Sequence, residues 1–178
     1  SALPSDQLAI RATAEAGQAS SWRTAANIAG TRGALKGSIG GGWLQSKGIS
    51  ALTNGTERDG FASFTGNGRL ELALGDNAAI DLRGFYTRGR VEYDSPFGLG
   101  GNALPESSNR QFAGYIGGRF ALFDGRFVNR LSFSRTDIDR RGTDPVAFSF
   151  NNFDISGKVD RWSWQGEVRP ASIATLVL

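Results

Sequence analysis

The run Phe61-Ala62-Ser63-Phe64-Thr65-Gly66-Asn67-Gly68-Arg69-Leu70-Glu71-Leu72-Ala73-Leu74 decides the fold class. Its even-numbered positions are apolar or small, with Ser63, Thr65, Asn67, Arg69 and Glu71 between them. A period of two puts the two sets on opposite faces of an extended strand. Gly75-Asp76-Asn77 supplies turn chemistry. Alternation then resumes, with Ile80, Leu82, Gly84 and Tyr86 on one face and Asp81, Arg83, Phe85 and Thr87 on the other. The stretch from Phe61 to Tyr93 reads as a long hairpin, greasy on one face and polar on the other. Even positions meet across it, so its loop must be odd in length. A loop at Gly75–Asn77 sets Glu71 opposite Asp81, and one at Asp76–Ala78 sets Glu71 opposite Arg83. Cross-strand charge pairing favours the second register.

The same alternation extends in both directions. Gln7–Gly17 carries Leu8, Ile10, Ala12, Ala14 and Ala16 on one face; Trp22–Ala29 carries Trp22, Thr24, Ala26 and Ile28. Gly30-Thr31-Arg32-Gly33 reads as a tight turn, and in Ala34–Gln45 the apolar parity switches to Leu35, Gly37, Ile39, Gly41 and Trp43. A two-residue turn at Thr31-Arg32 produces that switch. After the central hairpin, Arg110–Phe123 is a strand, and Asp124-Gly125 is a hairpin turn in which both residues take positive φ. Phe127, Leu131 and Phe133 follow, with Asn129 a misfit on their face. Ser46–Gly60, Asp94–Asn109 and Ile138–Asp160 read as long loops. Arg161–Arg169 restores the pattern with Trp162, Trp164, Gly166 and Val168, and a ninth strand begins at Ala174.

After a short opening link, tight turns and long loops alternate, and Trp22, Trp43 and Trp162 fall at strand ends next to the long-loop side. Membrane β-barrels combine short turns at one end, long loops at the other and interfacial aromatic girdles. A soluble sandwich uses shorter strands, of about 5–6 residues, and would bury the face of Leu70, Leu72, Ile80 and Leu82. The expected fold is therefore all-β: an antiparallel up-and-down transmembrane barrel, with eight to nine strands present. Leu8, Ile10, Leu70, Leu72, Ile80, Leu82, Ile116 and Phe120 are expected to face lipid. Arg11, Glu15, Arg23, Lys36, Arg69, Glu71, Asp81, Arg83, Arg119, Arg126, Arg130, Glu167 and Arg169 are expected to line a polar lumen.

Composition removes whole classes of chemistry. The 178 residues include 25 Gly but no Cys, His or Met. Zinc sites, haem ligation, thiol catalysis and Ser-His-Asp hydrolysis lose their usual side chains. A net charge of +3, scattered along the chain, lacks the patch that nucleic-acid binding gathers. No apolar run is long enough for a transmembrane helix. The start at Ser1-Ala2-Leu3, with no Met and no visible signal peptide, reads as a processed or excised piece. Gly37–Gly42 is glycine-rich without the Lys-Ser/Thr of a phosphate loop, and Glu57-Arg58-Asp59-Gly60 fails the EF-hand pattern at Gly55 and Gly66.

Trp43-Leu44-Gln45-Ser46-Lys47-Gly48-Ile49-Ser50, with Thr56-Glu57-Arg58-Asp59-Gly60-Phe61, resembles the second extracellular loop of TonB-dependent outer-membrane receptors, especially the cobalamin-transporter-like branch. Asp81-Leu82-Arg83-Gly84-Phe85-Tyr86-Thr87 and Arg161-Trp162-Ser163-Trp164-Gln165-Gly166-Glu167 resemble its fifth and eighth barrel strands. The resemblance implies a 22-stranded barrel of which residues 1–178 are the N-terminal part, without the plug domain or TonB box. It implies an outer-membrane location and energised uptake of a corrinoid or ferric siderophore. No enzymatic chemistry is expected. The implied partners are outer-membrane lipid and lipopolysaccharide, the plug, TonB through the plug, and the nutrient itself. The alternative is a complete eight-stranded outer-membrane barrel with a structural or adhesive role. No cofactor is required, but the resemblance points to calcium at Glu57, Asp59 and Asp94: in the preferred register Asp59 faces about position 95, at the same rim as Asp94. Arg58, Arg88 and Arg90 could neutralise these acids in place of metal.

Overall fold

The structure, a computed structural model, describes residues 7–49, 58–93, 105–144, 152–171 and 174–177, with side chains up to 169. Nine strands form one sheet: β1 (Leu8–Gly17), β2 (Ser21–Arg32), β3 (Leu35–Ser46), β4 (Phe61–Ala73), β5 (Ala78–Glu92), β6 (Glu106–Leu122), β7 (Phe127–Thr143), β8 (Phe153–Ala171) and β9 (Ala174–Val177). Each pairs antiparallel with its sequence neighbour, and the strand order is the chain order. The alternating pattern dictates this meander, because consecutive amphipathic strands joined by tight turns must lie side by side with their apolar faces together.

The turns explain the register. Arg32 pairs with Leu35, so the two-residue turn is Gly33-Ala34 rather than Thr31-Arg32, and Gly33 takes a φ of 54°. At Asp124-Gly125 both residues have positive φ (53° and 82°), and the Arg126 amide donates to the Phe123 carbonyl at 3.1 Å. The β4–β5 turn corrects the expectation. Leu74 N–H donates to Ala78 O at 2.8 Å, the loop is Gly75–Asn77, and Glu71 stands opposite Asp81. Gly75 takes the turn's positive φ of 74°. Arg69 and Arg83 are also directly opposed, so the two like pairs sit one step apart. Attraction then runs along one diagonal, from Arg69 to Asp81, and along each strand to the next residue on the same face. Arg69 donates to Asp81 at 3.1 Å and contacts Glu71 at 3.4 Å, and the Arg83 Nε donates to Asp81 at 3.1 Å.

Three strands run longer than the alternation suggested. β6 begins at Glu106 instead of Arg110, β7 continues to Thr143, and β8 begins at Phe153, so most of Ile138–Asp160 is strand. The period of two persists there with its apolar set on the other face: Ile138, Ile155 and Val159 replace Phe133 and Trp162 in parity. Trp162 consequently lies mid-strand. β8 ends in a one-residue irregularity between Val168 and Ala171, across Pro170, which has no amide to give to the ladder.

No second layer packs on the sheet among the described residues. Among the described residues the buried apolar side chains are Val128, at 4% exposure, and Pro105, whereas Ile10 and Ile39 are 68% and 65% exposed. A β-sandwich would bury those aliphatics, and here they do not converge on a core. β1 pairs only with β2, and β8 continues to β9, so the eight-strand closure of β1 onto β8 does not form among the described residues.

Candidate functional site

The pairing registers assign every described side chain to a face. One face carries Leu8, Ile10, Leu70, Leu72, Ile80, Leu82, Ile116 and Phe120; the other carries Arg69, Glu71, Asp81, Arg83, Arg119, Arg130, Glu167 and Arg169. The first also holds a feature invisible strand by strand. Trp22, Trp43, Phe64, Tyr86, Phe112, Phe133 and Trp162, one from each of β2 to β8, mark where its apolar residues end. On the loop side of this line the same face presents Arg88, Arg90, Glu92, Glu106 and Arg110 on β5 and β6. On β7 and β8 it presents Arg135, Asp137, Asp139, Arg141, Asp154, Lys158 and Asp160. Neighbours along the line touch: the Phe133 and Trp162 rings are 4.7 Å apart, and Phe64 and Tyr86 6.2 Å. The Trp43 indole N–H points to Gln45 Oε1 at 3.4 Å, on the polar side.

The line does not follow the hydrogen-bonded rows. The row of Trp22 passes through Gln45, Ala62, Arg90, Ser108 and Arg141 to Asp154, so between β2 and β8 the line slips eight residues, from Asp154 to Trp162. Eight residues of rise against six strand spacings put it at about 42° to the rows, from about 3.3 Å per residue and 4.8 Å per strand. One row shows the effect: Ile28, Ile39, Gly68, Gly84 and Gly114 lie in the apolar band, and the row then emerges at Arg135 and Asp160. On β6 the band runs from Phe112 to Leu122, ten residue steps. Resolved perpendicular to the line, that is about 25 Å.

Asn129, the misfit of the sequence, is buried within the band at 4% exposure, and its Oδ1 accepts the Trp164 indole N–H at 3.2 Å. Gly166 opens the space: a Cβ there would lie 3.0 Å from the Trp164 ring. The opposite face is a charge network. Arg130 meets Glu167 at 3.6 Å, Arg169 Nε donates to Glu167 at 2.8 Å, and Arg83 stacks 5.0 Å from the Tyr115 ring centre.

Of the expected calcium ligands, Glu57 and Asp94 lie outside the described residues. Asp59 is described, and its backbone carbonyl sits so close to Gly48 that a Cβ there would come within 1.8 Å of it. The Glu92 amide donates to Gly60 O at 2.8 Å, and extending that register sets Asp59 level with Tyr93 instead of position 95. Arg90 is committed elsewhere, to Glu92 at 3.2 Å and Glu106 at 2.8 Å. Among the described residues no three acids gather as a metal-binding group.

Sequence reasoning missed the charged upper face of β7 and β8. The available signal was parity, since Asp154, Lys158 and Asp160 alternate with Ile155 and Val159. No protein-family model and no curated protein matches this sequence.

Proposed function

We propose that this chain is part of the wall of a bacterial outer-membrane β-barrel of the TonB-dependent receptor type, which binds a scarce nutrient and passes it inward. The observation carrying this reading is the slanted apolar band. A flat slab of lipid crossing strands tilted by 35–45° leaves such an oblique stripe, about 25 Å tall and edged with aromatics. A water-soluble sheet has no reason to end its apolar residues along a line at about 42° to its own rows. The polar face is then the lumen wall, whose Arg69, Asp81, Arg83, Arg130 and Glu167 suit a wet interior or the polar surface of a plug. In this reading the longer links between strands, residues 47–60, 93–105 and 144–152, belong to the outer rim and the tight turns to the inner one.

The open edges bear on barrel size. In hydrocarbon each unpaired backbone group costs several kcal/mol, so only a closed wall is stable there. Among the described residues β1 pairs on one side alone, and in this reading further strands cover its other edge. A receptor of 22 strands supplies them; the eight-stranded alternative would need the β1–β8 ladder. Transport by such a receptor is binding followed by energised plug movement, with TonB reaching the plug. The nutrient is a corrinoid or ferric siderophore, and calcium bridging Glu57, Asp59 and Asp94 orders the rim. Cells carrying the full-length protein should accumulate the nutrient only when TonB is intact. A protein that folds in the outer membrane and gives no TonB-dependent uptake would leave the structural barrel as the answer.

A further inference from the structure

We propose that the apolar face binds one phosphorylated outer-leaflet lipid of the lipid A class, with its phosphate at Arg88 and Arg110 and an acyl chain in a trough floored by Gly68 and Gly84. The inference rests on the membrane reading above and adds a specific site to it.

The first observation is a cation that no carboxylate holds among the described residues. Arg88 and Arg110 are directly opposed on β5 and β6, an arrangement that repels unless an anion joins them. Arg110 Nε donates to Asp139 at 3.0 Å, and on the same face Arg90, Arg135 and Arg141 each hold a carboxylate. Arg88 makes no salt bridge among the described residues. It lines a cleft of about 350 Å³ with Arg110 and Arg141, one step above Tyr86 on the aromatic line. In a bilayer that is headgroup height, and a phosphate there would take charge-assisted bonds from both guanidiniums.

The second observation is the trough. Gly68, Gly84 and Gly114 are consecutive partners in one row, which removes three adjacent side chains from the apolar face. The resulting groove, about 730 Å³, is walled by Ile39, Leu70, Leu82 and Ile116. A Cβ built on Gly84 meets nothing within 4 Å, so the glycine there leaves open space instead of admitting a neighbouring strand. The two sites are continuous. Phe112 lines both the trough and a charged cleft of about 600 Å³, and that cleft shares Tyr86, Arg110 and Asp139 with the one at Arg88. Gly84 and Arg88 are four residues apart on one face of β5, about 14 Å, so the groove passes from an acyl environment to a cationic one within one lipid's length.

The test is lipid retention by the purified full-length protein, read by native mass spectrometry after incubation with lipid A, with its dephosphorylated form, or with inorganic phosphate. Lipid A should be retained selectively. Arg88→Gln should lower that retention about tenfold and leave the dephosphorylated lipid unchanged, and Arg88→Lys should restore most of it. Gly84→Leu, whose Cβ meets nothing within 4 Å and whose side chain enters the trough, should weaken full-length lipid A and not inorganic phosphate. Equal retention of both lipids, or of lipid A by Arg88→Gln and the parent, overturns the site. Displacement of lipid A by inorganic phosphate makes it a free-anion site and also overturns the lipid. A protein that fails to insert into bilayers sinks the membrane reading with it, whereas one that inserts and retains lipid unselectively sinks this inference alone.

Discussion

Ile39→Arg isolates the slant of the apolar band. Ile39 shares a hydrogen-bonded row with Arg135, a natural arginine on the same face, by way of Gly68, Gly84 and Gly114. If height in the membrane followed the rows, arginine would be as welcome at 39 as at 135. The aromatic line says otherwise. Ile39 lies four residues inside Trp43, and Arg135 lies two residues outside Phe133. Four residues at about 3.4 Å, inclined by about 42°, put Ile39 about 10 Å below the line, near the middle of a band about 25 Å tall. Arginine on the lipid face costs about 2–4 kcal/mol at the midplane and about 0–1 kcal/mol near the interface. Ile39 is 65% exposed on this face, so in the proposed membrane orientation the substitution meets lipid and not a neighbouring side chain. The assay is an equilibrium urea titration of the full-length protein folded into phosphatidylcholine vesicles, with Ile39→Ala as the control for lost apolar surface. Ile39→Arg should unfold about 2 kcal/mol or more below Ile39→Ala. A difference under about 1 kcal/mol would place position 39 at an interface or in water and refute the slanted band.

Arg69→Ala should cost about 0.5–1 kcal/mol in the same titration, because Arg69 bridges Glu71 and Asp81 while remaining 51% exposed; adding Glu71→Gln should recover most of it, and no recovery would deny the diagonal network. Asn129→Leu should destabilise by about 1–2 kcal/mol by stranding the Trp164 indole N–H, with a shift in Trp164 emission; an unchanged spectrum would remove that bond. Gly48→Ala should speed tryptic cleavage at Lys47 or Arg58 without changing the urea midpoint, since the position has φ +66° and a Cβ within 1.8 Å of Asp59 O. Calorimetric titration of the full-length protein with calcium should give heat that is lost on Asp59→Asn or Asp94→Asn, and heat unaffected by either change would remove the rim site.

Local alternation was enough to divide residues between the two faces, because a strand has only two sides and each residue must take one. Leu70 and Leu82 were separable from Arg69 and Arg83 with no partner strand known. Turn chemistry was also legible where backbone sterics leave one solution, as at Asp124-Gly125 with positive φ at both residues. The β4–β5 register was not, since opposed Glu71 and Asp81 look unfavourable until Arg69 is seen reaching Asp81 across the diagonal and Arg83 reaching it along β5. The ends of β7 and β8 were hidden for another reason: Ile138, Ile155 and Val159 keep the period and change face, which reads as broken alternation along a single strand. The oblique band depends on six successive registers taken together, three fixed at tight turns and three across the longer links between β3 and β4, β5 and β6, and β7 and β8. Periodicity assigns a residue to a side of the sheet, and only the summed pairing assigns it a height.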